Sequence, residues 1–190
     1  ATPWHPHHIA ERYGLMTIIV LGESVLAAAS AIQKAVAQNH WSAELVVFCL
    51  GALLIVFCMW WMYFEDEVAD HLTDLRTAFF WGYGHLVVFA AAAATGAGLA
   101  VQVDLMMGGA ALAPVSAALA LALPVALYCL AVWFVHKCRG DRRGGHWANP
   151  VAGGLVLATP WLPGHPSLLI GFVLSGAVAV TQAQRMRQAL

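Results

Sequence analysis

Apolar residues along this chain fall into six blocks, 13–32, 45–64, 77–100, 115–135, 149–162 and 168–181, parted by short polar or Gly/Pro-rich connectors. A bilayer core about 30 Å thick takes roughly 20 apolar residues of helix. The first four blocks are therefore long enough to cross, and the last two are short. The fifth, between Trp147 and Trp161, reads either as a thin span anchored by aromatic residues or as a re-entrant hairpin. The pattern predicts an all-α, polytopic transmembrane helix bundle of six spans, one domain over residues 1–190. The connectors agree with this. Residues 33–42 read as an outer turn, 102–114 as a Gly-rich outer turn with Asp104 its only charge, and 137–145 as a basic inner loop. Pro163-Gly164-His165-Pro166 is too Pro-rich to continue a helix. Pro124 falls inside the fourth block, where a kink is expected. The Ala/Gly-rich stretches 90–98 and 171–179 suit close packing between helices.

Charge sharpens the topology. With all six blocks crossing, Arg12, Arg76, Lys137, Arg139, Arg142, Arg143, Arg185 and Arg187 gather on one side, and Lys34 stands alone on the other. A re-entrant fifth block would weaken that split of eight to one to six to three, by moving Arg185 and Arg187. Basic excess marks the cytoplasmic side, so both termini are expected there.

Composition excludes several classes. The chain is 61% apolar and holds 9 Lys or Arg and 10 Asp or Glu, whereas a soluble domain is about half apolar and about a quarter charged. A water-soluble domain is excluded. The formal charge of −1 removes the basic excess that a nucleic-acid partner would require. The four cysteines form no CxxC pair, and no nucleophile elbow, phosphate loop or HExxH occurs, so no enzyme is expected. The chain opens at Ala1, and Trp4, His5, Pro6, His7 and His8 precede the first block in place of a Lys/Arg n-region. That is no signal peptide; a processed start or a piece of a longer chain is expected.

Two ionisable residues fall at membrane depth. Glu23 is 11 residues from both Arg12 and Lys34, about 16 Å from each at 1.5 Å per residue. A charge at the midplane costs roughly 3 kcal/mol or more, so Glu23 is expected to face the bundle interior or a water cavity. Ser30 and Lys34, at i+7 and i+11, extend a polar stripe from it. Glu23 is read either as an ion or proton site or as a carboxyl that hydrogen-bonds helices together. His85 is nine residues beyond Arg76, about 13 Å into the third block. It follows the aromatic and glycine-rich run Phe79-Phe80-Trp81-Gly82-Tyr83-Gly84. Three readings stay open: a hydrogen-bonded core histidine, a proton-relay partner sharing one site with Glu23, or an axial ligand to haem or chlorin. Apart from that ligand, no cofactor is expected, and no metal site.

Other clusters are weaker. His8, Glu11 and Arg12 share a face at i, i+3 and i+4, which suits a local ion pair or the mouth of an ion pathway. His5, His7 and His8 form a His-rich end able to take a transition metal. Glu65, Asp66, Glu67, Asp70, His71 and Asp74 make an acidic inner loop, read as a solvated connector or a divalent-cation site without a calcium-loop pattern.

The segment from His8 to Ser24, His-Ile-Ala-Glu-Arg-Tyr-Gly-Leu-Met-Thr-Ile-Ile-Val-Leu-Gly-Glu-Ser, strongly resembles the hallmark segment of the bacterial low-temperature-requirement A (LtrA) family. Phe80-Trp81-Gly82-Tyr83-Gly84-His85 is similar to a second segment of that family. The resemblance covers most of the chain, the last two blocks matching by hydrophobicity alone. It implies a multi-pass protein of the bacterial inner membrane, named for a growth phenotype in the cold, without a settled molecular activity. Family members are typically about twice as long, so the chain looks like the C-terminal half of a two-half architecture, or a short member. By analogy with transporters built from repeats, a site would lie between halves.

The leading expectation is a permease- or channel-like protein with a midplane proton or ion pathway through Glu23 and His85, helped by Ser30, Glu11 and Arg12. The alternatives are a non-catalytic subunit of a larger membrane complex, holding pigment or haem through His85, and a membrane sensor or scaffold. The expected partners are the lipid bilayer and a matching N-terminal half or larger complex, with no nucleic acid.

Overall fold

A computed structural model describes residues 6–39, 42–65, 75–109, 111–137 and 147–188. Six α-helices follow one another: α1 (Pro6–Ala37), α2 (Ala43–Phe64), α3 (Leu75–Met106), α4 (Pro114–Lys137), α5 (Ala148–Ala158) and α6 (Pro166–Gln188). A 3-10 turn, Thr159–Trp161, extends α5. No strand occurs among the described residues.

Five helices, all but α5, are long and apolar enough to cross a membrane. Most overrun the apolar blocks, because a helix continues through its amphipathic ends. The two outer turns are accordingly shorter than the connectors read from the sequence. α1 persists to Ala37 and α3 to Met106, and the chain then turns at Asn39 (φ 60°) and Gly108 (φ 71°). Ser42 caps α2 by accepting from the Leu45 amide at 3.2 Å, which satisfies one orphan donor of the first turn. α4 runs unbroken through Pro124.

Side-chain contacts set the direction of each helix. α1 and α2 are antiparallel, with Gly14 against Phe64. α4 runs antiparallel to α3, with Gly98 against Ala120 and Leu121, and Gly84 against Val135. A Cβ on Gly98 would lie 2.5 Å from the Ala120 carbonyl oxygen, so only glycine permits that approach. α5 is antiparallel to α4, pairing Trp147 with Trp133 (6.0 Å between ring centroids) and Gly153 with Ala126. α6 lies parallel to α2, with Gly51 against the Ser167–Leu168 backbone and Gly171 against Leu54. Arg185 closes that pair, its Nε 3.0 Å from the Glu65 carboxylate while its Nη1 donates to the Glu65 carbonyl at 2.8 Å. Gln182 donates to the same carboxylate at 3.1 Å.

Both ends of the described chain therefore lie at one end of the bundle, here termed proximal. Arg12, Arg76, Arg185 and Arg187 belong to it, and Lys34 lies at the distal end. The short α5–α6 corner begins its return beside Gly51, eight residues past the start of α2, or about 12 Å short of the distal end.

The radial pattern is that of a protein in lipid. Leu15, Ile19, Phe57, Leu86 and Phe172 point outward, while Thr17, Ser24, His85, Thr95 and Thr181 are buried. A soluble protein rarely exposes so much contiguous apolar surface. Several buried hydroxyls return to their own helix, Thr17 donating to the Tyr13 carbonyl and Thr95 to the Ala91 carbonyl, both at 2.9 Å.

Candidate functional site

His85 is fully buried at the centre of an aromatic cluster. Its Nδ1 lies 2.7 Å from the Trp81 carbonyl oxygen, one turn earlier on α3. A carbonyl can only accept, so Nδ1 carries the hydrogen, and in the neutral ring Nε2 accepts from the Tyr63 hydroxyl at 2.8 Å. Tyr63 comes from the last turn of α2, so this bond ties α2 to α3. The rings of Trp81, Tyr13 and Phe89 stand around the imidazole, with centroids 4.1, 4.7 and 5.6 Å away. The cluster does not fit a haem or chlorin. Both nitrogens hold hydrogen bonds, and a macrocycle would have to displace three packed rings. Trp81, also fully buried, has an indole nitrogen without a partner among the described residues.

Glu23 lies elsewhere. It is exposed on the outer face of α1, away from the bundle, and so are Ser30 and Lys34. No hydrogen bond or ion pair joins Glu23 to any described residue, and Gly22 beside it has open space where a Cβ would go. The neighbouring Ser24 is the residue that turns inward. Its hydroxyl is directed at the Ala92 carbonyl (2.8 Å) and the Val20 carbonyl (3.1 Å), and its Cα would lie 2.8 Å from a Cβ on Gly96. The expectation that Glu23 faces the interior of this bundle is thereby corrected by one helical step, about 100° of azimuth.

Nor does the structure bring Glu23 and His85 together. α1 and α3 are parallel, and Ser24 meets Gly96 while Tyr13 meets His85. That register places His85 level with Tyr13, ten residues below Glu23, a separation of about 15 Å along the axis. Counting depth from Arg12 and Arg76 assumed that those arginines were level. α3 is instead set eight residues, about 12 Å, further toward the proximal end.

The remaining candidates scatter. His8 and Glu11 form a largely exposed contact at 3.4 Å that leaves out Arg12, which lines a groove between α1 and α3. Glu65 belongs to the α2–α6 clasp. Asp66, Glu67, Asp70, His71, Asp74 and His5 lie outside the described residues, as do the basic residues 139–143. Among the described residues no group of three His, Cys, Asp or Glu side chains could hold a metal ion. Tyr63 and Ser24 were not anticipated. Ser24 had a signal: Thr17, Leu21, Ser24, Ala28, Ala31 and Ala35 repeat at alternating steps of four and three, mostly small residues, and all are buried. Nothing in the sequence pairs Tyr63 with His85.

No curated protein and no solved structure matches the chain. The model of one family, described as bacterial low temperature requirement A protein (LtrA), matches residues 1–183. With nearly its whole length matched, and with the helical bundle of a multi-pass membrane protein, the chain belongs to the LtrA family.

Proposed function

We propose that this protein is a permease- or channel-like module of the bacterial inner membrane, in which the outer face of α1 lines a proton or cation path. Glu23 carries the reading: a carboxyl halfway along a spanning helix, exposed and without a partner among the described residues. Hydrocarbon offers such a group nothing, so water or a polar group of another membrane element has to meet it. Ser30 and Lys34 continue the polar stripe toward the distal end. His85 has no place in this path and acts as a structural residue. Six crossings with both termini cytoplasmic suit the antiparallel α4–α5 pair, the return of α6 parallel to α2, and the basic side chains at the proximal end. No catalytic chemistry is proposed.

The test is flux in proteoliposomes carrying an internal pH dye. Glu23→Gln should lower pH-gradient-driven flux at least about tenfold, the loss expected when the only midplane ionisable group of a path is neutralised, with helicity and monodispersity unchanged. Equal flux in variant and parent would remove the transport role. A second reading, a non-catalytic subunit or scaffold, is favoured by the open Gly22 beside Glu23, where a partner helix could approach closely. In that case Glu23→Gln would change assembly and leave flux alone.

A further inference from the structure

At the proximal end, the seam between α1 and α3 opens outward as a groove of about 700 Å³, walled by Tyr13, Phe79, Tyr83, Leu86 and Phe89, with Arg12 at its side. Phe79 and Tyr83, stacked at 6.1 Å, are shared with an adjoining hollow that contains Arg76. Arg76 lies 5.8 Å from the Phe80 ring centroid. Neither guanidinium has a carboxylate partner among the described residues: Glu11 is taken by His8, and Glu65 by Arg185. The half-buried Tyr13 hydroxyl, pressed against Gly82, likewise makes no hydrogen bond there. Among the described residues, an unpaired cation, Arg76, thus lies at the foot of an otherwise apolar trough, and a second, Arg12, stands with the unbonded Tyr13 hydroxyl about 12 Å further up it. From Arg76 up to Phe89 is 13 residues, about 20 Å, comparable with the roughly 15 Å half-thickness of the hydrocarbon core plus its headgroup layer.

We propose that this groove seats one anionic glycerophospholipid. Its phosphodiester lies between Arg12 and Arg76, the Tyr13 hydroxyl donates to an ester oxygen, and one acyl chain follows Tyr83, Leu86 and Phe89. Charge decides the occupant. An apolar helix or a zwitterionic lipid would leave the charge of two guanidiniums uncancelled, whereas a phosphodiester with no cationic headgroup, reached by Arg76 from below and Arg12 from above, pairs with both. The site stands apart from the proposed path, because Glu23 is 11 residues, about 16 Å, beyond Arg12.

Native mass spectrometry of the full chain, released from micelles mixed with equal phosphatidylglycerol and phosphatidylcholine, tests it. The parent should retain one phosphatidylglycerol in preference to phosphatidylcholine. Arg12→Gln/Arg76→Gln should lower that retention at least about tenfold. Ala78→Trp, which fills the groove without changing charge, should lower it to a similar degree. Arg187→Gln removes a proximal cation outside the groove and should leave retention unchanged, and helicity in all variants should match the parent. Equal retention of the two lipids overturns the proposal, as does parental retention in either groove variant. An equal loss in Arg187→Gln would reduce the effect to general surface charge, and a lipid-free dimer would hand the groove to a second copy; each also overturns it.

Discussion

His85 and Glu23 are both ionisable residues inside spanning helices, and the fold treats them in opposite ways. His85 has both ring nitrogens bonded within the chain and no exposed surface. Glu23 has no partner among the described residues and faces outward. A polar group satisfied internally contributes to stability and has nothing left over to offer a ligand. A polar group left unsatisfied at that depth raises the free energy of the isolated bundle and lowers it again when something outside arrives. Under the proposed reading, burial and function are separated: the more secluded side chain serves the fold and the exposed one serves the path.

The sharpest way to break this comparison is to measure the stability of both. His85→Ala should cost about 3 kcal/mol in a reversible detergent unfolding titration, since it opens a cavity among three rings and removes the hydrogen bonds to Tyr63 and Trp81. Glu23→Gln should move the same transition by less than about 0.5 kcal/mol. Equal losses would mean that Glu23 holds the fold after all. The two faces of α1 can be compared next with a single added methyl. Gly96→Ala would press a Cβ to 2.8 Å from the Ser24 backbone and should cost about 2 kcal/mol. Gly22→Ala meets open space and should stay within about 0.5 kcal/mol of the parent. A large loss at Gly22 would instead reveal a tightly packed partner on the outer face. The smallest of the expected losses belongs to Tyr63→Phe, which removes one interhelical hydrogen bond and should cost about 1 kcal/mol, still above the near-neutral Glu23→Gln and Gly22→Ala.

Helix identity and order were readable from block length, and the basic residues that separate the two ends were readable from charge. Depth and azimuth were not. Depth fails at α3, because counting from Arg12 and Arg76 sets the two arginines level, and nothing in one sequence shows how far two helices slide past each other. Azimuth went astray between Glu23 and Ser24, although the buried repeat through Thr17, Leu21, Ser24, Ala28 and Ala31 was there to be followed. A charged residue drew the reading that small residues should have carried, because helices in lipid meet through small side chains. The α5–α6 corner shows a different limit. Its two short blocks straddle the length that separates a span from a hairpin, and only their contacts with α4 and α2 give their directions.

The pairing of α2 with α6 bears on the order in which the bundle is completed during synthesis. α1 packs with α3, α3 with α4 and α4 with α5, so most helices find their principal neighbour soon after they emerge. α2 is the exception, since its main neighbour is the last helix of the chain. Glu65 is separated from Gln182 and Arg185 by 117 and 120 residues, so their bonds close only after α6 has been made. Until then Gly51 lacks the Ser167–Leu168 backbone against it, and Glu65 lacks its bonds from Gln182 and Arg185. A chain that stops before Pro166 therefore leaves the proximal end of α2 without the clasp that joins it to α6.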